Sequence, residues 1–197
     1  MSAQKQPRLV LAALGIASFL LSAQAAAQSK VDYRVLATSK TSTMQKEMQE
    51  ASDAGFRFAD VMGGSTAMGI GGSEVVVVMT KVAKAGAFEY RLLATSKTST
   101  MQKELQEAGD AGFEYKGQTV FKSTFGGKEV VAILERAKDA TAPPRYEYRL
   151  LATSKTSTMQ KELQEAGDAG FEFVGLTVGK TLMGGDEVVS ILRRKAQ

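Results

Sequence analysis

The sequence predicts an α+β protein made of three tandem β-α-β-β units. One ten-residue segment, Thr-Ser-Lys-Thr-Ser-Thr-Met-Gln-Lys-Glu, occurs unchanged at residues 38–47, 95–104 and 153–162. An alternating apolar segment precedes each copy, and a glycine pair separates two strand-like segments after each copy. An internal repeat this clear is a better guide to the number of domains than chain length is. We therefore expect three units in the 197 residues rather than one or two larger domains.

The first 27 residues have the order of a secretory signal peptide. Lys5 and Arg8 precede an apolar run at residues 9–21, and small residues follow. The run is shorter than the roughly 20 residues of a membrane span, so we expect cleavage after Ala25 or Ala27 and no span in the mature chain. The expected location is the periplasm or the outside of the cell.

The first strand of a unit is clearest in the middle copy. Residues 88–95 alternate between apolar and polar side chains, with Phe88, Tyr90 and Leu92 on one face. This pattern predicts a strand with one apolar face.

A helix is expected next, over residues 100–111. Ser99 is expected to cap it and Gln102 to complete a capping box, and Gly112 is expected in the left-handed conformation that ends it. Its apolar stripe consists of Met101, Leu105 and Ala108.

Two further strands are expected at residues 113–121 and 129–135, joined through a glycine pair at 126–127. We predict the antiparallel strand order 1-3-2, with the single helix on one sheet face. Strand three is apolar on both sides, so we expect its sheet to be covered twice, the second time by a neighbouring unit or another molecule. The predicted units are 31–82, 88–137 and 146–195, with a linker at 138–145.

Each unit resembles a family of short bacterial domains of unknown function. The resemblance is carried by Tyr-Glu-Tyr at residues 146–148, by Gly-Phe-Glu at 170–172 after the helix, and by a last strand ending in Arg193 and Arg194. Phe171 and its counterparts Phe56 and Phe113 stand where the family has Trp. The resemblance implies no activity.

Composition limits the chemistry that we expect. The chain contains no cysteine, no histidine and no tryptophan, which excludes disulfides, thiolate catalysis, Ser-His-Asp triads and zinc sites built on His or Cys. The formal net charge of +4 falls to +2 without Lys5 and Arg8 of the expected signal peptide, which gives little reason to expect a nucleic-acid partner. We predict no catalytic residue, no cofactor and no metal, and we do not expect an enzyme.

The polar corner between strand one and the helix is the candidate site. Residues 90–113 match 148–171 without a difference, and the first copy differs there only at Val35, Met48 and Ser52. Free N–H groups at a helix start, with lysines beside them, suit an anion. The candidate anion-binding residues are Ser39, Lys40, Ser42, Thr43, Lys46, Ser96, Lys97, Ser99, Thr100, Lys103, Ser154, Lys155, Ser157, Thr158 and Lys161. A competing explanation for the identical corners is that their hydroxyl groups only cap the helices. In that case gene conversion would have kept the three copies alike.

Carboxylates on the helix are a weaker candidate. Glu104, Glu107 and Asp110 recur close together, and we interpret them as a solvated helix face rather than as an acid-base pair.

We therefore expect an exported, non-enzymatic protein with a binding or assembly role. Its partner would be an unknown protein or envelope component, with self-association possible. The alternatives are a protein that binds small anions or anionic glycans at the helix corners and, third, an enzyme acting through carboxylates.

Overall fold

The computed structural model describes residues 31–65, 73–81, 87–122, 128–180 and 186–196. The expected signal peptide, the glycine pairs at 71–72, 126–127 and 184–185, and the short link at 82–86 lie outside the described residues. Residues 31–197 form one unit by their contacts.

The three units have the same order of elements. The first contains β1 (Asp32–Thr38), α1 (Thr41–Asp53), β2 (Phe56–Ser65) and β3 (Ser73–Lys81). The second contains β4 (Phe88–Thr95), α2 (Thr98–Asp110), β5 (Glu114–Lys122) and β6 (Lys128–Ala137). The third contains β7 (Tyr146–Thr153), α3 (Thr156–Asp168), β8 (Glu172–Lys180) and β9 (Asp186–Lys195).

Each unit holds one three-stranded antiparallel sheet in which the last strand is central, in the orders β1-β3-β2, β4-β6-β5 and β7-β9-β8. The predicted α+β class and the strand order 1-3-2 are confirmed. The first strand of each unit is therefore an edge strand, with one row of backbone groups free of sheet pairing.

The helices begin two residues earlier than predicted. The N-cap of α2 is Lys97, in an extended conformation and without a side-chain cap bond, and the Lys97 N–H donates to the Thr95 hydroxyl at 3.2 Å. The predicted cap at Ser99 and the capping box with Gln102 are therefore wrong, because Ser99 lies inside the helix and Gln102 is engaged elsewhere. The helix ends were predicted correctly: Gly55, Gly112 and Gly170 have φ of 86°, 83° and 80°, values that favour glycine.

The units stack so that each of the first two helices lies between its own sheet and the next. Met44 and Met48 of α1 are buried against Met79 of their own sheet and against Tyr90 and Ile133 of the second sheet. The helix α2 is buried in the same way between the second and third sheets. The expected second cover of a sheet therefore comes from the preceding unit, and sheets alternate with helices along the chain.

Candidate functional site

The predicted anion-binding residues lie at the three helix starts, as expected from their sequence. All of them are exposed except Thr43 and Thr100, which are half-buried. The lysines inside the helices are paired along them, since the nitrogens of Lys46, Lys103 and Lys161 lie 3.9, 3.9 and 3.7 Å from a glutamate one turn on.

The second and third corners differ in what lies beside them. The Thr98 hydroxyl donates to a carboxylate oxygen of Glu187, in the third unit, at 2.6 Å. Its counterpart Thr156 is exposed. An acidic side chain thus occupies the approach to the second corner, and anion binding at the corners stays a prediction.

The helical carboxylates are only partly on a solvated face. Glu107 and Asp110 are exposed, but Glu104 is half-buried. Among the described residues, one of the Glu104 carboxylate oxygens is buried without a hydrogen-bond partner. Burial and the nearby charge of Glu107 raise the pKa of Glu104, so the prediction of a solvated face is wrong for this residue. No group of acidic residues in the described ranges has the arrangement of a metal site.

Glutamines on α1 bind the free edge of β4. The Gln45 side chain accepts from the Leu92 N–H at 2.9 Å, and the Gln49 side chain donates to the Phe88 carbonyl at 3.0 Å. The Ser52 hydroxyl also donates to the Phe88 carbonyl, at 2.8 Å. The helix thus satisfies the backbone groups of an edge strand, which would otherwise be open to another chain.

The same contacts join α2 to β7. The Gln102 side chain accepts from the Leu150 N–H at 2.7 Å and donates to the Tyr148 carbonyl at 2.8 Å. Gln106 accepts from the Tyr148 N–H at 3.0 Å. A Cβ on Gly109 would clash with the Tyr146 carbonyl, so glycine permits the close approach of this helix to the strand.

In the third unit no described element covers the corresponding helix face. Gln160, Gln164 and Gly167 are all exposed, and a Cβ on Gly167 would meet nothing within 4 Å. Only Ala166 is fully buried in α3, whereas four residues are buried in each of α1 and α2.

In the second and third units, a tyrosine in the first strand binds the backbone of the preceding unit. The Tyr90 hydroxyl accepts from the Phe58 N–H and donates to Glu135, both at 2.8 Å. The Tyr148 hydroxyl accepts from the Tyr115 N–H at 2.6 Å, and burial raises the pKa of Tyr90 and Tyr148 well above the usual range. Tyr33, the corresponding residue of the first unit, is 66% exposed, against 3% and 4% for the other two.

A row of alternating charges crosses all three units, and we call it the charge ladder. Its nitrogen–oxygen distances are 2.7, 3.7, 3.1, 2.8 and 4.0 Å in order. It begins with a cation in the first unit and ends with an anion in the third. Its members in order are Arg57, Glu135, Lys116, Glu114, Arg193 and Glu172.

Aromatic rings pack on glycines across the same interfaces. A bulge occurs at the same place in β2, β5 and β8. The residues just after it in the second and third units, Gly117 and Gly175, lie against Phe58 and Tyr115 of the preceding units. A Cβ at these glycines would lie 3.1 Å from the Phe58 ring and 2.5 Å from the Tyr115 hydroxyl. In the first unit this position is Asp60, by register.

The large apolar side chains that are exposed gather at the two ends of the stack. We call the free face of the first sheet the sheet end; its exposed apolar residues are Val31, Tyr33, Val35 and Met62. We call the face made by α3 and the part of the third sheet beside it the helix end; its exposed apolar residues are Phe173, Leu176, Val178 and Val188. These eight are all the exposed large hydrophobic residues of the described ranges, and the internal counterparts of both faces are interfaces between units.

Sequence reasoning missed the glutamines and tyrosines that hold the units together. Two signals pointed to them: the same glutamines stand four residues apart in every helix, and every first strand holds a tyrosine at one position. Neither pattern shows which residues are bound, because the backbone atoms that the glutamines bind belong to a strand 39 to 48 residues further on.

Comparisons with known proteins found no match. No family model matches the chain, and no curated protein and no solved structure does. No helix of the described ranges is both long and apolar enough to cross a membrane. The described residues form an α+β repeat stack whose two ends differ, and no other described element covers either end.

Proposed function

We propose that this chain is an exported, non-enzymatic repeat protein with a binding or assembly role in the periplasm or outside the cell. Its binding surfaces would be the sheet end and the helix end. The observation that carries this proposal is the confinement of all eight exposed large hydrophobic residues of the described ranges to these two faces. Contiguous exposed apolar surface is typical of interaction sites.

The free edge of β1 supports the same role. Among the described residues this strand pairs with β3 alone. Its outer backbone groups can therefore pair with a partner, as an exposed sheet edge does when a further strand is added to it. The corresponding edges of β4 and β7 are bound by helix glutamines.

Photocrosslinking in the producing cell tests the proposal. A photoreactive residue would replace Val35 at the sheet end or Leu176 at the helix end, with replacement of the exposed linker residue Asp139 as control. We expect adducts from the two end positions, in the exported fraction, and none from the control. A chain that stays in the cytoplasm, or end positions that give no adduct, would contradict the proposal.

Anion binding at the helix corners is the second candidate function. It is favoured by the exposed N-cap lysines Lys40, Lys97 and Lys155, none of which has a side-chain cap bond. Titration with phosphate, followed by amide shifts of Ser157 and Thr158, tests it. We expect the third corner to respond at lower concentration than the second, where Glu187 lies, and no shift at millimolar phosphate would exclude it.

A further inference from the structure

We infer that the partner of the sheet end is the helix end of a second copy, so that chains join head to tail. This inference rests on the proposed function and names its partner. Such a contact is heterologous, since it uses two different faces and leaves one of each free, and it produces open chains or rings rather than closed symmetric dimers.

The first support is that these two kinds of face already meet twice within the molecule. A helix with two glutamines covers the edge of the next first strand in both internal interfaces. The helix end still offers Gln160 and Gln164, and the sheet end offers the β1 edge at Tyr33 and Val35. The segment that carries the glutamines is identical in α2 and α3. The helix end therefore has every residue that α2 contributes to the second internal interface.

The second support is charge. The charge ladder begins with Arg57 and ends with Glu172, whose side chain is 77% exposed. In the second interface Arg193 bonds Glu114 of the preceding unit at 2.8 Å and also faces Glu172 beside it at 4.0 Å. By register, the first unit has Thr80 at the position of Arg193, next to Arg57. Head-to-tail joining therefore brings Glu172 to Thr80 and Arg57 and continues the alternation of sign, whereas joining two like ends would oppose equal charges.

One residue weakens this third interface relative to the two internal ones. Asp60 stands where Gly117 and Gly175 receive the rings of Phe58 and Tyr115. Its side chain would meet Phe173, the corresponding ring, which is 55% exposed. Because burying a carboxylate against a ring is costly, we expect association at high concentration and not the permanent joining of the internal units.

Cysteine trapping tests the geometry, because the chain has no cysteine of its own. Val35 corresponds to Leu92, and Gln160 corresponds to Gln45. In the first internal interface the Leu92 backbone nitrogen lies 2.9 Å from the Gln45 side-chain oxygen, so we choose the variants Val35→Cys and Gln160→Cys. We expect a mixture of the two purified variants to form a disulfide-linked dimer at least about tenfold faster than either variant alone. A mixture of Gln160→Cys with the control Asp139→Cys should form none above background. Equal trapping in all mixtures, or faster trapping of Val35→Cys with itself, would overturn the inference.

Sedimentation velocity tests the affinity and the role of Asp60. The purified protein should show a sedimentation coefficient that rises with concentration. Asp60→Gly should lower the dissociation constant of this self-association by roughly tenfold. Glu172→Lys should weaken association and leave the monomer folded, as judged by its circular dichroism. A monomer at all concentrations up to about 1 mM, in both the unaltered protein and Asp60→Gly, would overturn the inference.

The two proposals fail separately. If the purified protein stays monomeric while end-specific adducts in cells contain a different protein, the head-to-tail inference is wrong and the binding role stands. If no end position gives an adduct in cells and the purified protein does not associate, both are wrong.

Discussion

At the residue scale, identical side chains have different tasks depending on whether another unit packs against them in the stack. Gln102 satisfies the backbone of β7, whereas Gln160, at the same place in α3, is exposed. Gly109 allows its helix to touch the next strand, whereas Gly167 has open space around it. The second and third units therefore provide matched pairs in which the sequence is constant and the surroundings change.

The different surroundings of Gly109 and Gly167 lead to the first prediction. Gly109→Ala should lower the free energy of unfolding by about 1–3 kcal/mol, because the new methyl group would meet the Tyr146 carbonyl and the Tyr148 ring. Gly167→Ala should raise it by about 0.5 kcal/mol, because alanine loses less backbone entropy in a helix. Urea unfolding at low protein concentration measures both. Effects of the same sign would contradict the stacking of α2 on the third unit.

The half-buried carboxylate of Glu104 leads to a second prediction. Because burial and the charge of Glu107 raise its pKa, the ionised form is disfavoured in the folded state, and Glu104 destabilises the protein above that pKa. Glu104→Gln should therefore raise the melting temperature at pH 7, and the gain should disappear below about pH 4, where both states hold a neutral carboxyl. Glu165→Gln, at an exposed position of α3, is the control. A gain that does not change with pH would show that the charge is not the cause.

At the scale of elements, α2 and α3 have the same 13 residues but different packing. Four residues of α2 are buried, against one of α3. In the described part of the chain α2 has a sheet on both sides, whereas α3 has one on its inner side alone. Packing of an apolar face, rather than helix propensity, supplies most of the stability of a short helix. The terminal helix should therefore be the less stable of the two.

Amide hydrogen exchange tests this difference. The amides of residues 157–168 should exchange faster than those of 99–110 in dilute protein, since identical sequences have the same intrinsic exchange rates and differ only in the free energy of local opening. Head-to-tail association would add protection to α3 as concentration rises. Equal protection of the two helices in dilute protein would contradict the difference in packing.

At the scale of the whole molecule, side chains of one unit hold the next. The charge ladder, the tyrosine hydroxyls and the glutamines all join consecutive units. A unit of some 50 residues leaves much of its apolar surface uncovered and is marginally stable alone. The stack therefore behaves as a repeat protein, in which neighbour contacts contribute much of the stability.

Glu114, a member of the charge ladder, should affect the pH dependence of stability in the opposite direction to Glu104. Burial acts to raise the pKa of Glu114, but Lys116 and Arg193 outweigh it, and the pKa is lowered overall. The ionised form therefore stabilises the protein above the ordinary pKa of about 4.3, and this stability is lost as the pH falls through the lowered value. Glu114→Gln should reduce the melting temperature at pH 7 and have little effect near pH 2. An unchanged melting temperature at pH 7 would exclude a stabilising ladder between the second and third units.

Much of the fold could be predicted from the sequence for local reasons. Alternation marks the strands, the stripe of Met101, Leu105 and Ala108 marks a helix, and glycine is needed at Gly112 for the positive φ that ends it. The two-sided apolar pattern of the central strands correctly indicated a second cover. The helix start was missed because Lys97, a poor cap by propensity, is held by the Thr95 hydroxyl and the packing of the whole corner.

By itself, the sequence determined the unit, its strand order and its number of copies, because periodicity, turn residues and repetition act within a short stretch of chain. Only the tertiary structure decided that Gln102 and Tyr148 are interface residues and that Val35 and Leu176 lie at open ends. The physical reason is that a side chain bonded to the backbone of the next unit leaves no mark in the sequence of its partner. Which faces become buried depends on which units pack against each other in space.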